Sequence, residues 1–211
     1  GSFGFGAAVA AVVASAGHPL LSLPLSLLAG ALAGWTTGLL QTRLRIHPVL
    51  AGIITMSGLY TVNLMVMGTT NLSIGSENAL FKMLCAGFEL DPMGKKIFGV
   101  VASGIMAVAA LLLMILFFKT HLGMCIRATG DNPDMVRASS IDAERMKRVG
   151  LCLGNALVAL SGGLIVHYSG YADVNASSGT LVYSLAAVII GETLCGRGGP
   201  TRGLISALIG S

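Results

Sequence analysis

Ile97 to Phe118, IFGVVASGIMAVAALLLMILFF, contains no Asp, Glu, Lys or Arg. A helix needs roughly 20 apolar residues to cross the hydrocarbon of a bilayer. Lipid offers no water to exposed backbone groups, so such a run must satisfy its own hydrogen bonds as a transmembrane helix. Three other stretches have the same character: Leu20 to Leu40, Val49 to Met67 and Val149 to Tyr168. Shorter apolar pieces, Phe3 to Ala16, Leu181 to Leu194 and Gly203 to Ser211, flank them and fall short of a crossing.

The composition agrees with these four spans. The 211 residues are 54% hydrophobic and 10% charged, against about 45–50% and about 25% in soluble domains. Glycine, at 29 residues, is about twice its usual share of roughly 7% and follows no collagen-like period. Glycine scattered through apolar runs points to helices that approach closely. In the first full span Gly30, Gly34 and Gly38 repeat at every fourth residue on one face. That ladder serves either packing within the chain or a subunit interface. The expected fold is therefore all-α, a polytopic transmembrane helix bundle with short broken or re-entrant helices. It forms a single membrane-spanning domain over 1–211 whose first and last spans are incomplete or missing.

Basic residues set the expected orientation, because short cytoplasmic loops collect Lys and Arg. Arg43 and Arg45 follow the first full span, and Lys119, Arg127, Arg137, Arg145, Lys147 and Arg148 lie in the loop 119–148. The intervening loops hold Lys82, Lys95 and Lys96. Eight against three places Arg43 and the 119–148 loop inside. Cys85, Cys125, Cys152 and Cys195 form no CxxC pair, so they read as packing residues and not as a metal site or disulfide framework. The lone Trp35 reads as packing too. The bilayer is the expected environment, with no nucleic-acid partner.

Polar side chains inside the apolar runs are costly unless paired. Asn63 and Asn155 are candidates for lining a solute path, with helix-to-helix bonding as the other reading. Glu192 is a third candidate, since an ionisable group at membrane depth faces a cavity, a partner or the interface. The Gly196–Arg202 stretch after it, rich in Gly with Pro200, reads either as the hinge of a broken helix lining a cavity or as a turn between two crossings.

The polar loop carries the most specific signal. In Gly130-Asp131-Asn132-Pro133-Asp134, Gly130 suits the left-handed residue that ends a helix. Asn132 or Asp131 can cap the next helix, and Pro133 fits its first turn. Asp134 then sits at the positive end of the dipole. The spacing predicts a short helix over 133–139 and a further one capped by Asp142 leading into the fourth span. A capped, partly apolar helix held clear of the bilayer suits docking to another protein.

The run from Arg127 to Ala138, with Ile141-Asp142, resembles the coupling loop of permeases in the ABC importer family that serves branched-chain amino acids, ribose and related solutes. Gly1-Ser2-Phe3 with Gly6-Ala7-Ala8, the Leu44 to Pro48 turn into Leu50 to Ile53, and Gly191 to Leu194 before Gly198-Gly199 extend the resemblance over nearly the whole chain. Ser140 departs from it, where the family carries Gly, and so does Glu192, where sugar permeases of the group carry Gly. The resemblance implies a permease subunit of an ATP-driven importer in the bacterial cytoplasmic (inner) membrane. It would move a small polar solute inward by alternating access, an amino acid ahead of a sugar or nucleoside. It implies an ATPase contact through Gly130, Asp131, Asn132, Pro133, Met135, Arg137 and Ala138. Phe3, Asn63, Asn155 and Glu192 are expected to lie near a central translocation path. Its partners would be cytoplasmic ATPase subunits, a second permease subunit, as homodimer or heterodimer, and an extracytoplasmic solute-binding protein.

The chain has no GxxxxGK[ST] phosphate loop, so no nucleotide cofactor is expected on it; ATP and Mg would sit on the partner. A passive channel or facilitator is the competing class and has no use for a capped cytoplasmic helix. An intramembrane hydrolase built on Ser161 and His167 is disfavoured, because six residues place them on largely opposed helix faces.

Overall fold

Proline opens three of the long helices, at Pro19, Pro48 and Pro92, because a helix's first turn does not need the amide that proline lacks and its fixed φ suits the turn. The computed structural model describes residues 1–75 and 92–195, with Gly203 and Ala207. In chain order it contains α1 (Ser2–Ser15), α2 (Pro19–Thr42), α3 (Pro48–Met67), β1 (Asn71–Ser73), α4 (Pro92–Lys119), α5 (His121–Asp131), α6 (Pro133–Ala138), α7 (Ala143–Ser169), β2 (Tyr171–Asp173) and α8 (Ala176–Cys195). Four of these, α2, α3, α4 and α7, are long and apolar enough to cross a membrane. With 20 residues in α3 and 28 in α4, they are about 30–42 Å long at 1.5 Å per residue, enough for a roughly 30 Å core. The all-α transmembrane bundle expected from the sequence is the fold observed. Of the 181–202 region, residues 196–202 and the proposed hinge lie outside the described residues.

The bundle is built around α1, which at 14 residues is only about 21 Å long and is packed by α2, α3 and α7. Its Gly4, Gly6, Ala7, Ala8, Ala10, Ala11 and Ala14 are all buried. Lipid tails are as apolar as leucine, so helices in a bilayer associate through close van der Waals approach, which small residues permit. A methyl placed on Gly6 would come within 2.5 Å of the Ala159 Cα, and one on Gly34 within 2.7 Å of the Cys152 Cα. Gly30 meets Asn155, Ala156 and Ala159, and Gly38 meets Arg148. The glycine ladder of α2 is therefore an interface within the chain, between α2 and α7. It extends by the same four-residue step to the buried Ser26 and Ser22.

One end of the bundle is basic. There Arg148 of α7 stacks its guanidinium 5.6 Å from the Trp35 ring. Trp35 is exposed, so it is a platform for that cation and not the packing residue expected. The ends of α3 and α7 at the other pole are tied by a two-stranded antiparallel ribbon, with Asn71 opposite Asp173 and Ser73 opposite Tyr171. Beneath it Met67, Ile74, Val166, Ala172 and Val174 join alanines of α1 in an apolar cluster. Gly68 and Gly170 end α3 and α7 in the left-handed conformation. The ribbon was not anticipated, since each strand has only three residues.

Gly130 does not end a helix. It lies inside α5, which runs on to Asp131, and its φ is not positive. The reversal is made by Asn132, whose extended backbone (φ −152°, ψ 98°) closes α5 and opens α6. The left-handed residue of this loop is instead Ser140, at φ 60°. A glycine takes that conformation without a Cβ penalty, which accounts for glycine in the resembling family at this position.

Candidate functional site: a mid-bundle groove and a capped helix

The start of α1 lies against the middle of α3 and α7. Gly1 meets Met56 and Leu59 of α3, and the Ser2 hydroxyl donates to the Asn155 side-chain oxygen of α7. The Asn155 amide donates to the Leu151 carbonyl at 2.8 Å. Two open cavities meet here. The larger, about 940 Å³, is walled by Ser2 and Phe3 of α1, Val158, Ser161 and Ile165 of α7, and Thr180, Tyr183, Ser184, Leu185 and Val188 of α8. The smaller, about 380 Å³, lies on the α3 side and includes Thr37, Thr55 and Asn155. Thr37 donates to the Ala33 carbonyl at 2.9 Å and lies 3.1 Å from Thr55. The described walls therefore present aromatic rings, aliphatic side chains, hydroxyls and the Asn155 amide, with no Asp, Glu, Lys, Arg or His side chain.

The four residues expected along a path are distributed unevenly. Phe3 lines the larger cavity and Asn155 the smaller. Asn63 lines neither; it is 2% exposed, and its side-chain oxygen has no hydrogen-bond partner among the described residues. Glu192 is exposed near the end of α8 and lines neither cavity. Ser2, Thr180, Tyr183 and Ser184 were missed because isolated hydroxyls and one Tyr in apolar runs carry no pattern. Another buried pair was also missed. Ser22 donates to the Pro19 carbonyl at 2.5 Å and lies 2.6 Å from His167 Nε2. Its one proton is committed, so the contact needs Nε2–H as donor. The signal was the four-residue step from Gly38 back to Ser22. Ser161 donates to the Val158 carbonyl at 2.7 Å and does not meet His167.

At the basic end, local hydrogen bonds hold the short helix α6. The Asn132 Oδ1 accepts from the amides of Asp134 and Met135, each at 3.1 Å. Asp134 pairs with Arg137 at 3.1 Å. The amides of Ser139 and Ile141 close its far end on the Met135 and Val136 carbonyls, each at 3.2 Å. Asp142 caps α7 through the amides of Glu144 and Arg145, at 3.0 and 3.1 Å. Val136, 3% exposed, anchors α6, while Met135, Arg137 and Ala138 remain exposed. Gly130 and Asp131 are exposed on the last turn of α5, beside the Asn132 and Pro133 that open α6. The seven residues expected to meet an ATPase thus occupy one continuous segment.

The profile of the branched-chain amino acid transport system permease component family matches residues 1–211. The chain belongs to this permease family. The permease is a multi-pass protein of the bacterial cytoplasmic membrane, and ATP hydrolysis in such systems is done by partner ATPases and not by the permease. It is 37% identical to a tyrosine transport system permease protein of Clostridioides difficile over 92% of this chain and 62% of that protein. It is 28% identical to the ribose import permease protein of Escherichia coli K12, over 97% of this chain and 63% of that one. A probable branched-chain amino acid transport permease protein of Methanocaldococcus jannaschii is 28% identical over 70% of this chain and 48% of its own length. The chain spans less than two thirds of the length of these curated relatives. No solved structure gives a significant match.

Proposed function

We propose that this chain is the membrane-embedded part of an ATP-driven importer and moves a small polar solute inward by alternating access, an amino acid in preference to a sugar. The observation that carries the reading is α6, a six-residue helix capped at both ends and anchored by Val136. A helix too short to be stable alone has been made rigid and left with exposed contact residues. In the proposed orientation the basic end faces the cytoplasm, and a partner ATPase holding ATP and Mg presses on Met135, Arg137 and Ala138. A rigid segment transmits that displacement to α7 through the Asp142 cap. A second permease subunit and an extracytoplasmic solute-binding protein complete the assembly.

The solute path in this reading runs along the groove at Ser2, Phe3, Tyr183 and Asn155. Its aromatic and aliphatic walls with scattered hydroxyls suit an amphipathic solute better than a sugar, whose many hydroxyls require dense polar partners. The name of the Clostridioides difficile relative supports the same choice. Asn63 belongs to the moving parts: its unpaired oxygen, on the helix next to α1, gains a partner when α3 shifts. Glu192, exposed near the end of α8, lies outside the walls of both cavities.

The test is the double substitution Asn132→Ala with Pro133→Ala in the full-length permease, reconstituted with its ATPase and solute-binding protein. Loss of the cap weakens the helix start by roughly 1 kcal/mol and leaves the apolar spans intact. ATP-dependent uptake is expected to fall far more than membrane insertion or assembly. Normal uptake by the double variant, or the absence of any ATPase copurifying with the full-length protein, would leave a passive facilitator as the better account.

A further inference from the structure

A third open groove, of about 470 Å³, runs along α2 at the basic end, walled by Thr36, Leu39, Leu40, Arg43 and Leu44. At 100° per residue, Thr36 and Arg43 lie on the side of α2 opposite Gly34, hence away from α7. The Thr36 hydroxyl is already used, donating to the Ala33 carbonyl at 2.8 Å. The carbonyls of Leu39 and Leu40 accept from the amides of Arg43 and Ile46, at 2.8 and 3.2 Å. The guanidinium of Arg43 is thus not required to cap these carbonyls. Among the described residues the ion pairs are Arg137 with Asp134 and Arg145 with Asp142, and neither Arg43 nor its exposed neighbour Arg45 joins one. The groove therefore offers a leucine-lined wall ending in an uncompensated cation, just past the end of a helix long and apolar enough to cross a membrane.

We infer that this groove seats an anionic phospholipid, its acyl chain along Leu39, Leu40 and Leu44 and its phosphate on the Arg43 guanidinium. Charge complementarity selects the occupant. Arginine matches phosphate oxygens with two parallel N–H donors, and a basic residue at the cytoplasmic end of a transmembrane helix attracts anionic lipid by about 1 kcal/mol. A zwitterionic lipid fills the same wall but brings its own cation near Arg43. The seat lies on a different face of α2 from the glycine interface with α7, so it is independent of the solute groove.

The full-length permease, reconstituted in vesicles of equal phosphatidylglycerol and phosphatidylcholine, would carry a photoactivatable acyl chain on one lipid or the other, with crosslinks mapped by peptide mass spectrometry. Residues 36–44 are expected to be labelled about fivefold more by the phosphatidylglycerol probe, the size of preference one basic residue near the surface gives. Arg43→Gln should reduce that preference to near unity, and Arg43→Lys should retain most of it. Equal labelling by the two probes, a preference that survives Arg43→Gln, or no labelling of 36–44 because another segment of the full-length protein fills the groove would each overturn the assignment. Assembly and thermal stability of each variant, measured in parallel, show whether a lost crosslink reflects lost folding, and Arg45→Gln, which keeps Arg43, serves as the folded control that should keep the preference.

Discussion

Replacing Asn63 by Leu is expected to make the permease more stable and less active. Asn63 is 2% exposed, and its side-chain oxygen has no hydrogen-bond partner among the described residues. It sits on α3 one helical turn beyond Leu59, which touches the start of α1. A buried carbonyl left unpaired costs about 1–3 kcal/mol relative to a satisfied or apolar group. Leucine has the same number of side-chain heavy atoms, branched at the same carbon, and no polar atom, so the substitution removes that cost without opening a cavity. The gain in unfolding free energy should be about 1–3 kcal/mol, read from reversible unfolding of the full-length protein in mixed detergent–lipid micelles. If the oxygen is paired in another conformation of the transport cycle, the same change favours the conformation seen here, and ATP-dependent uptake should fall while assembly with the ATPase is unchanged. A variant less stable than the parent would refute the reasoning, because it would mean that Asn63 is satisfied in the resting protein. A variant that is more stable with unchanged uptake would remove Asn63 from the transport mechanism while leaving the account of its burial intact.

Two further outcomes follow from the packing and the proposed orientation. Gly34→Ala forces α2 and α7 apart, since its methyl would lie 2.7 Å from the Cys152 Cα; overpacking of this kind costs about 1–3 kcal/mol. Gly52→Ala on α3, with nothing within 4 Å, is expected to be neutral or stabilising by up to about 1 kcal/mol, and thermal unfolding of the two variants side by side checks the contrast. In intact cells a membrane-impermeant thiol reagent should label Asn175→Cys and spare Asn132→Cys, both positions being exposed, whereas the reverse pattern would invert the proposed topology.

The parts of this protein legible in sequence are those governed by one solvent and one helix. Four uncharged runs became α2, α3, α4 and α7, with ends close to those expected, because lipid enforces intrahelical hydrogen bonding on any segment that spans it. The caps at Asn132 and Asp142 were legible for the same local reason: an Asx side chain followed by free amides reaches no further than three residues. Gly130 shows where a local rule lost. A glycine that could end a helix was left helical because Asn132 turned the chain two residues later.

What tertiary structure alone decided is which faces meet. The ladder Gly30, Gly34, Gly38 announced a close neighbour but could not name α7, since the complementary face at Cys152, Ala156 and Ala159 lies more than a hundred residues away. The Ser22–His167 contact and the β1–β2 ribbon are pairings of the same long range, each too short or too isolated to leave a period in the sequence. The groove depends on the start of α1 meeting the middle of α7 and the flank of α8. Asn63 and Asn155 look alike in sequence, yet one is sealed without a partner and the other borders a cavity. Sequence determines which segments enter the membrane because partition depends on composition summed along a helix. The geometry of the path depends on the rotation and depth of each helix against its neighbours, and those are set by contacts between distant segments.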